Sequence, residues 1–250
     1  MLAWRYDPAM SSLGHAANSP DSPVPTAKVA GRTPAPSTPR RDAGIARVIF
    51  VILAVVLGVW FYIEGVRPNF VPKNFGVVEE GKLYRAGELT TAAMRKVVEQ
   101  HRIRTIVDLG ACEPGSREDR RAADVADALG IERFRFNLHG DSTGNPNNYV
   151  QALAIMTDPA KQPVLVHCGA GSERTGCAVV LYRAAVQRKS VPESYPETFE
   201  FKHRDEQNPW LRKTLEAWGI KILRAHAAGV QVPGVDQLPA PVPTGRATQR

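Results

Sequence analysis

Apolar positions follow two regimes along the chain. Val48 to Ile63 reads VIFVILAVVLGVWFYI, sixteen residues without a charge. Beyond it, apolar residues come in short alternations and helical spacings. Phe75–Val78 and Lys82–Arg85 read as short strands around the turn Glu79-Glu80-Gly81. Thr90 or Thr91 can cap a helix to about His101, with Met94, Val97 and Val98 on one face. Arg104–Leu109 is rich in β-branched residues and reads as a strand. Arg117–Leu129 follows as a helix ended by Gly130, then Ile131–Leu138 as an alternating strand. Asn145–Met156 places Tyr149, Leu153 and Met156 at helical spacing. Pro163–His167 is continuously apolar, as a central buried strand should be. Three helices complete the series, over 174–188, 191–204 and 208–226. This alternation predicts an α/β domain whose mostly parallel central sheet is flanked by helices.

The flanks divide the chain further. Residues 1–43 hold seven prolines among Ser, Ala and Thr, and no apolar period survives there; they read as a disordered Pro-rich tail. Residues 44–64 read as a single transmembrane helix. From Gly44 to Ile63 there is one charge, Arg47, near an edge from which it can snorkel, and Trp60 and Tyr62 stand at the other end as an aromatic belt. A buried core helix is the alternative. A cleaved signal peptide fits less well, because the preceding tail is long and Tyr62-Ile63-Glu64-Gly65 lacks a small-x-small site. Residues 68–227 read as one globular domain, and the proline-bearing residues 228–250 as a second disordered tail. Lys28, Arg32, Arg40, Arg41 and Arg47 precede the apolar run, against Arg67, Lys73 and Lys82 after it. The positive-inside rule then puts the tail in the cytoplasm and the domain on the extracytoplasmic side.

Composition excludes several classes. With 43% hydrophobic residues in 250, the chain can bury a real core and is not disordered throughout. Three cysteines are too few, and odd in number, for a disulfide-stapled mini-fold. Only one long apolar run exists, so a multi-span membrane protein is excluded. The net charge of +7 lies largely in the flanks, and no nucleic-acid signature accompanies it.

The informative segment is Val164-Leu165-Val166-His167-Cys168-Gly169-Ala170-Gly171-Ser172-Glu173-Arg174-Thr175-Gly176. It runs strand, loop, helix. Backbone N–H groups over Gly169 to Arg174 can curl inward at a helix N-terminus, making an anion site sized for a phosphate. Gly169 and Gly171 permit the dihedrals such a loop needs. Arg174 offers a bidentate fork to two phosphate oxygens. Cys168 sits at the bottom, where the same amides and the helix dipole favour a thiolate. A thiolate facing a phosphoryl group is placed for in-line attack.

The pattern HCxxGxxRTG, met here at His167, Cys168, Gly171, Arg174, Thr175 and Gly176, resembles the cysteine-dependent protein tyrosine and dual-specificity phosphatases. Upstream, Asn74-Phe75-Gly76-Val77-Val78, Leu83-Tyr84-Arg85-Ala86-Gly87 and Thr105-Ile106-Val107-Asp108-Leu109 resemble the small atypical members; the likeness covers roughly residues 70–205. The resemblance implies a dual-specificity-phosphatase-like fold and hydrolysis of phosphomonoesters through a phosphocysteine, with no metal or organic cofactor. It implies a general acid on a loop upstream of the cysteine. Asp141 lies 27 residues before Cys168 and fits; Asp158 belongs to the turn before the next strand, and Asp108 reads as structural. It also implies that Thr175 hydrogen-bonds the Cys168 sulfur and that His167 orients the loop.

Substrate class depends on what the loop carries. Relatives acting on inositol polyphosphates or phosphoinositides have basic residues inside it, where this chain has Gly169, Ala170, Ser172 and Glu173. Glu173 either repels a second phosphate or turns outward to a surface arginine such as Arg120 or Arg121. The favoured partner is therefore a phosphorylated protein, through phosphotyrosine, with a phospholipid headgroup or inositol phosphate as the alternative. A phospho-binding module without turnover is the non-enzyme alternative. Cys112 follows a strand that could neighbour that of Cys168, so a reversible disulfide between them stands beside the plainer reading of a loop cysteine. Cys177 reads as a core residue.

Overall fold

A computed structural model describes residues 41–244 of the chain. The tail expected over 1–43 lies outside the described residues except for its last three, which begin a helix, and 245–250 also lie outside. The chain divides into units 1–49 and 50–250, the boundary falling within that first helix.

Helix α1 (Arg41–Phe61) passes through a π-helical turn, Tyr62–Val66, into the short α2 (Arg67–Phe70). The stretch Gly44–Phe70 is 27 residues long with mean hydropathy 2.5, and 0% of its most apolar window is buried. At 1.5 Å per residue it extends about 40 Å, longer than a bilayer core of about 30 Å. It is the one helix among the described residues long and apolar enough to cross a membrane. A buried core helix does not describe it. It runs past the expected end at residue 64, because Pro68 falls where α2 starts, a position that needs no amide hydrogen.

The remaining elements are β1 (Gly76–Glu79), β2 (Leu83–Ala86), α3 (Thr91–His101), β3 (Thr105–Asp108), α4 (Arg117–Leu129), β4 (Glu132–Arg135), α5 (Asn147–Thr157), β5 (Val164–His167), α6 (Glu173–Val186), α7 (Val191–Ser194), α8 (Glu197–Glu200) and α9 (Trp210–Ala227). Their starts and stops have local causes. Thr90 Oγ1 accepts from Ala93 N at 3.2 Å to cap α3, and Ser116 Oγ accepts from Asp119 N at 3.1 Å to cap α4. Gly130, at φ +66°, closes α4. The single helix expected over 191–204 is instead two short pieces, since Pro196 cannot donate to the turn before it. The strand expected over 131–138 is confined to Glu132–Arg135, after which the chain turns toward the site.

The five strands order as β1-β2-β5-β3-β4, with β1 antiparallel to β2 and all other pairs parallel. The register sets Ala86 beside His167, His167 beside Asp108, and Asp108 beside Arg135. Four strands therefore end on one edge, where ligand sites of α/β sheets form. Strand alternation builds two cores. Val164, Val166, Val107 and Leu109 join α5, α6 and α9 on one face; Leu165, Ile106, Tyr84 and Ala86 join α3 and α4 on the other.

The disordered tail expected over 228–250 is corrected over 228–244. This stretch lies as a strap on α5 and the edge strand β4. Val232 is buried and its N–H donates to Asn147 Oδ1 at 2.7 Å. The amides of Asn145 and Asn147 donate to Asp236 O, and Gln151 donates to Pro239 O. Thr244 N donates to Arg133 O at 2.8 Å on the open edge of β4. Prolines hold the strap extended and leave its carbonyls free to accept, and Val232 supplies apolar burial, so a proline-rich composition did not prevent docking.

Candidate active site

The loop Cys168–Arg174 leaves β5 at the sheet edge and enters α6. Its conformation is set from outside. Gly169 O accepts from Lys73 Nζ at 2.9 Å and Glu88 N at 3.1 Å. Ala170 O accepts from Asn74 Nδ2 at 3.1 Å, and Gly171 O from Arg85 Nη2 at 2.9 Å. In a trans peptide the carbonyl and the next N–H point opposite ways. Three carbonyls drawn outward thus turn the N–H groups of Ala170, Gly171 and Ser172 inward. One is observed on target: Gly171 N donates to Cys168 Sγ at 3.2 Å. Gly171 sits at φ +76°, and a Cβ there would stand 2.5 Å from Gly87 N, so only glycine fits. The N-terminus of α6 adds its dipole.

Arg174 reaches back across the edge. Its Nη1 donates to Leu109 O at 3.1 Å, Leu138 O at 3.3 Å, and Gly110 O. Its Nε is buried without a partner. One side of the guanidinium is anchored, and the Nε side is left to meet an anion. The anchor is itself supported. Asp108 Oδ1 accepts from Gly110 N at 3.0 Å and Ala111 N at 2.8 Å, and its Oδ2 pairs with Arg133 at 2.6 Å. Arg133 also pairs with Asp119 at 2.6 Å. Burial raises Asp108's carboxyl, but His167 and Arg133 outweigh it and hold it below the usual range. Asp108 is thus structural, as its place in the sequence suggested.

His167 is buried and its Nδ1 has no partner. Burial holds the imidazole below its ordinary value, against the pull of Asp108 with its Oδ2 3.9 Å from Nε2. Thr175 Oγ1 is buried without a partner, so the bond implied from it to Cys168 is not formed in this structure. Glu173 takes neither expected orientation. Its carboxylate meets His203 Nδ1 at 2.8 Å, and His203 Nε2 meets Asp205 Oδ1 at 3.0 Å. Neither Arg120 nor Arg121 takes part.

Asp141 lies on the turn between β4 and α5. Its Oδ1 accepts from Thr143 N at 2.9 Å and Thr143 Oγ1 at 2.6 Å. Burial raises its carboxyl, but the Thr143 bonds outweigh burial and hold it below the ordinary value. Tyr149, buried against α6, donates to Ser142 O at 3.0 Å and fastens the turn.

This geometry matches a known family. A family model described as a DSP-PTPase phosphatase fused to NAD+ kinase matches residues 71–217. The chain belongs to the DSP-PTPase phosphatases. It is 33% identical over 112 residues to inositol diphosphatase DSP1 of Oryza sativa subsp. japonica, covering 43% of this chain and 48% of that protein, so it spans about half of that relative. It is 30% identical over 159 residues to inositol diphosphatase DSP3 of Arabidopsis thaliana, covering 61% of this chain and 73% of the relative. Among solved structures, the core catalytic domain of the PP-IP phosphatase SIW14 of S. cerevisiae, in complex with citrate, aligns with TM-score 0.53 at 24% identity, over 63% of this chain and 93% of that one.

In this DSP-PTPase, sequence reasoning missed the outer clamp of Lys73, Asn74 and Arg85. Asn74 stands at φ +48° and also donates to Phe201 O at 3.2 Å. The signal that could have found the clamp was the cation and amide flanking β1 and β2 in a segment already tied to the loop by resemblance. Cys168 belongs to the core on the α5 and α6 side, whereas Cys112 lines a cavity of about 660 Å³ with Met94, Ile106 and Val125 on the α3 and α4 side. All three thiols are free. Burial and then Asp108 and Asp119 push the Cys112 thiol up, and burial pushes the Cys177 thiol up to about 12.

Proposed function

We propose that this chain is an active phosphatase of the inositol phosphate class, with Cys168 as nucleophile, Arg174 and the amides of Gly169, Ala170, Gly171, Ser172 and Glu173 as the anion cradle, and Asp141 as general acid. The observation that carries the chemistry is the loop itself, with amides turned inward by outside donors and one of them on Cys168 Sγ. In the first step the thiolate attacks phosphorus, the bond to the leaving oxygen breaks, and Asp141 gives that oxygen its proton. In the second, Asp141 takes a proton from water as the water oxygen attacks the phosphocysteine, and the S–P bond breaks to return the thiolate. The cradle and Arg174 hold the charge that spreads over the equatorial oxygens. For either step Asp141 exchanges Thr143 for the reacting oxygens. Thr175 and His167 act as supports of the loop.

Inositol phosphates are favoured over the phosphotyrosine read from the loop because both plant relatives carry the name inositol diphosphatase. The charge objection to them also weakens: Glu173 is engaged by His203, and Lys73 brings a cation to the loop from outside. Phosphotyrosine remains the second reading, supported by the uncharged Gly169, Ala170 and Ser172. We place a membrane anchor over residues 44–64, within the apolar helix Gly44–Phe70, and the phosphatase domain after it in sequence at 68–227.

The test uses the full chain in detergent micelles, assayed on an inositol pyrophosphate, an inositol polyphosphate, a phosphoinositide, a phosphotyrosine peptide and p-nitrophenyl phosphate, with Cys168→Ser alongside. The highest kcat/KM on an inositol phosphate, lost to background in Cys168→Ser, is the expected result. A phosphotyrosine optimum would install the second reading. Binding without turnover on every substrate would make the chain a phospho-binding module.

A further inference from the structure

Arg85 and Arg133 are the largest side chains fully buried among the described residues, each at 1% exposure. Arg133 is paired with Asp108 and Asp119; Arg85 is the one that needs explaining. Buried guanidinium groups are ordinarily paired with carboxylates. This one is not. Its Nη2 donates to Gly171 O, its Cζ lies 3.6 Å from the centre of the Phe201 ring, and its Nε and Nη1 have no partner. The groups that favour its charge, Glu197, Cys168 and Glu200, do so through space, and Glu197 is engaged by Arg183 at 2.8 and 3.0 Å. Burial draws the guanidinium down to about 10, with Arg183 opposing its charge further. A cation is therefore held in a dry position directly beneath the loop, with no carboxylate bonded to it and the Cys168 sulfur near enough to favour its charge.

The single bond it makes falls on the peptide that matters. Gly171 O drawn to Arg85 turns Ser172 N–H into the cradle. The backbone around it has no slack, because Gly171 packs on Gly87 and Ala86 at distances no Cβ could share. Lys73 and Asn74 grip the neighbouring carbonyls but from exposed positions.

We propose that Arg85 is a positioning residue of this phosphatase, fixing the Gly171–Ser172 peptide inward and supplying the buried positive charge that the bound phosphoryl anion answers. The inference rests on the loop being a phosphate site, as read above. A group placed only to fill the core would be replaceable by an apolar side chain of its length without effect on anion binding.

The experiment measures binding of tungstate, a phosphate-shaped oxyanion, to the full chain in detergent micelles by calorimetry. Wild type, Arg85→Met and Arg85→Lys are compared, each with its kcat/KM on p-nitrophenyl phosphate and its thermal midpoint. The expected result is a loss of about tenfold or more in tungstate affinity for Arg85→Met, the scale of one lost charge-assisted bond, and substantial recovery in Arg85→Lys. Wild-type affinity in Arg85→Met overturns the proposal. Should Arg85→Met not fold, Arg85→Gln, which keeps a polar side chain but removes the charge, takes its place; unchanged tungstate affinity there overturns it equally. Failure of the wild type itself to bind tungstate would instead defeat the phosphate-site reading.

Discussion

The phosphate loop and the acid turn share one sheet edge and are held in opposite ways. Lys73, Asn74, Arg85 and Leu109 hold the phosphate loop from 65 to 98 residues away in sequence. Between its ends, over residues 139–143, the acid turn is held by near neighbours: Asp141 bonds Thr143, His139 bonds Thr143, and Tyr149 reaches Ser142 O from seven residues away, while Leu138 and Asn145 on either side are tied to Arg174 and Asp236. A loop gripped by distant elements changes only with the domain, whereas a self-bonded turn can rearrange alone. The first is therefore preorganised for charge. The second holds its acid on a neighbour. In the function proposed above, anion binding is built into the fold, while proton transfer by Asp141 waits on a local exchange of hydrogen bonds.

The sharpest way to break the first half is to remove a remote support. Arg133 and Asp108 are 2% and 0% exposed as a pair, and they fix the Gly110 segment that anchors Arg174. Arg133→Met leaves the Asp108 carboxylate buried beside it without that partner. The expected loss is about 3–5 kcal/mol in denaturant unfolding, with kcat falling alongside. The pH sense follows from Asp108 being held below its ordinary range. Its stabilisation is present above about pH 4 and fades as pH falls through the lower folded value. The deficit of Arg133→Met should thus be largest near neutrality and narrow in acid. A loss under about 1 kcal/mol would mean the support is dispensable.

The second half is tested by the acid. Asp141→Asn should lower kcat about 100-fold on substrates whose leaving oxygen needs a proton. It should cost much less on p-nitrophenyl phosphate, whose leaving group departs readily as an anion. Tungstate binding should stay close to wild type, because the Asp141 carboxylate bonds Thr143 and no group of the phosphate loop. Equal losses on both substrates would remove Asp141 from the acid role.

The same contrast explains what was legible in the sequence. The phosphate loop was readable because its chemistry is contiguous, from Val164 to Gly176, between an apolar strand and a helix. The parallel sheet was readable because β3 is a short β-branched run between two capped helices and β5 a short continuous apolar run between two helical patterns. The clamp was not, since Lys73, Asn74 and Arg85 reach the loop only once β2 pairs with β5, and no local pattern encodes that pairing. Glu173 was misread for the same reason: His203 comes from beyond α8, in a region expected to be one helix. The strap over 228–244 was missed because its prolines and polar residues look like a tail, while its docking depends on Asn147 and β4.

The smallest expected effect is also the most specific to the acid turn. Thr143→Val removes the hydroxyl that bonds Asp141 Oδ1 at 2.6 Å and keeps the side chain's shape. The bond stabilises the carboxylate, so its loss lets the carboxyl rise toward its ordinary value. One such bond is worth about 1 kcal/mol, or roughly 0.7 of a pH unit. A general acid works in its protonated form, so the basic limb of the kcat profile should move to higher pH by about that amount. On substrates with poor leaving groups, kcat above the limb should rise a few-fold rather than fall. A mutation beside an active site usually lowers the rate; here a gain follows if the Thr143 bond holds Asp141 in its resting state. A basic limb that stays in place, with kcat reduced, would show that Thr143 positions the acid for transfer, and the turn would then be preorganised like the loop beside it.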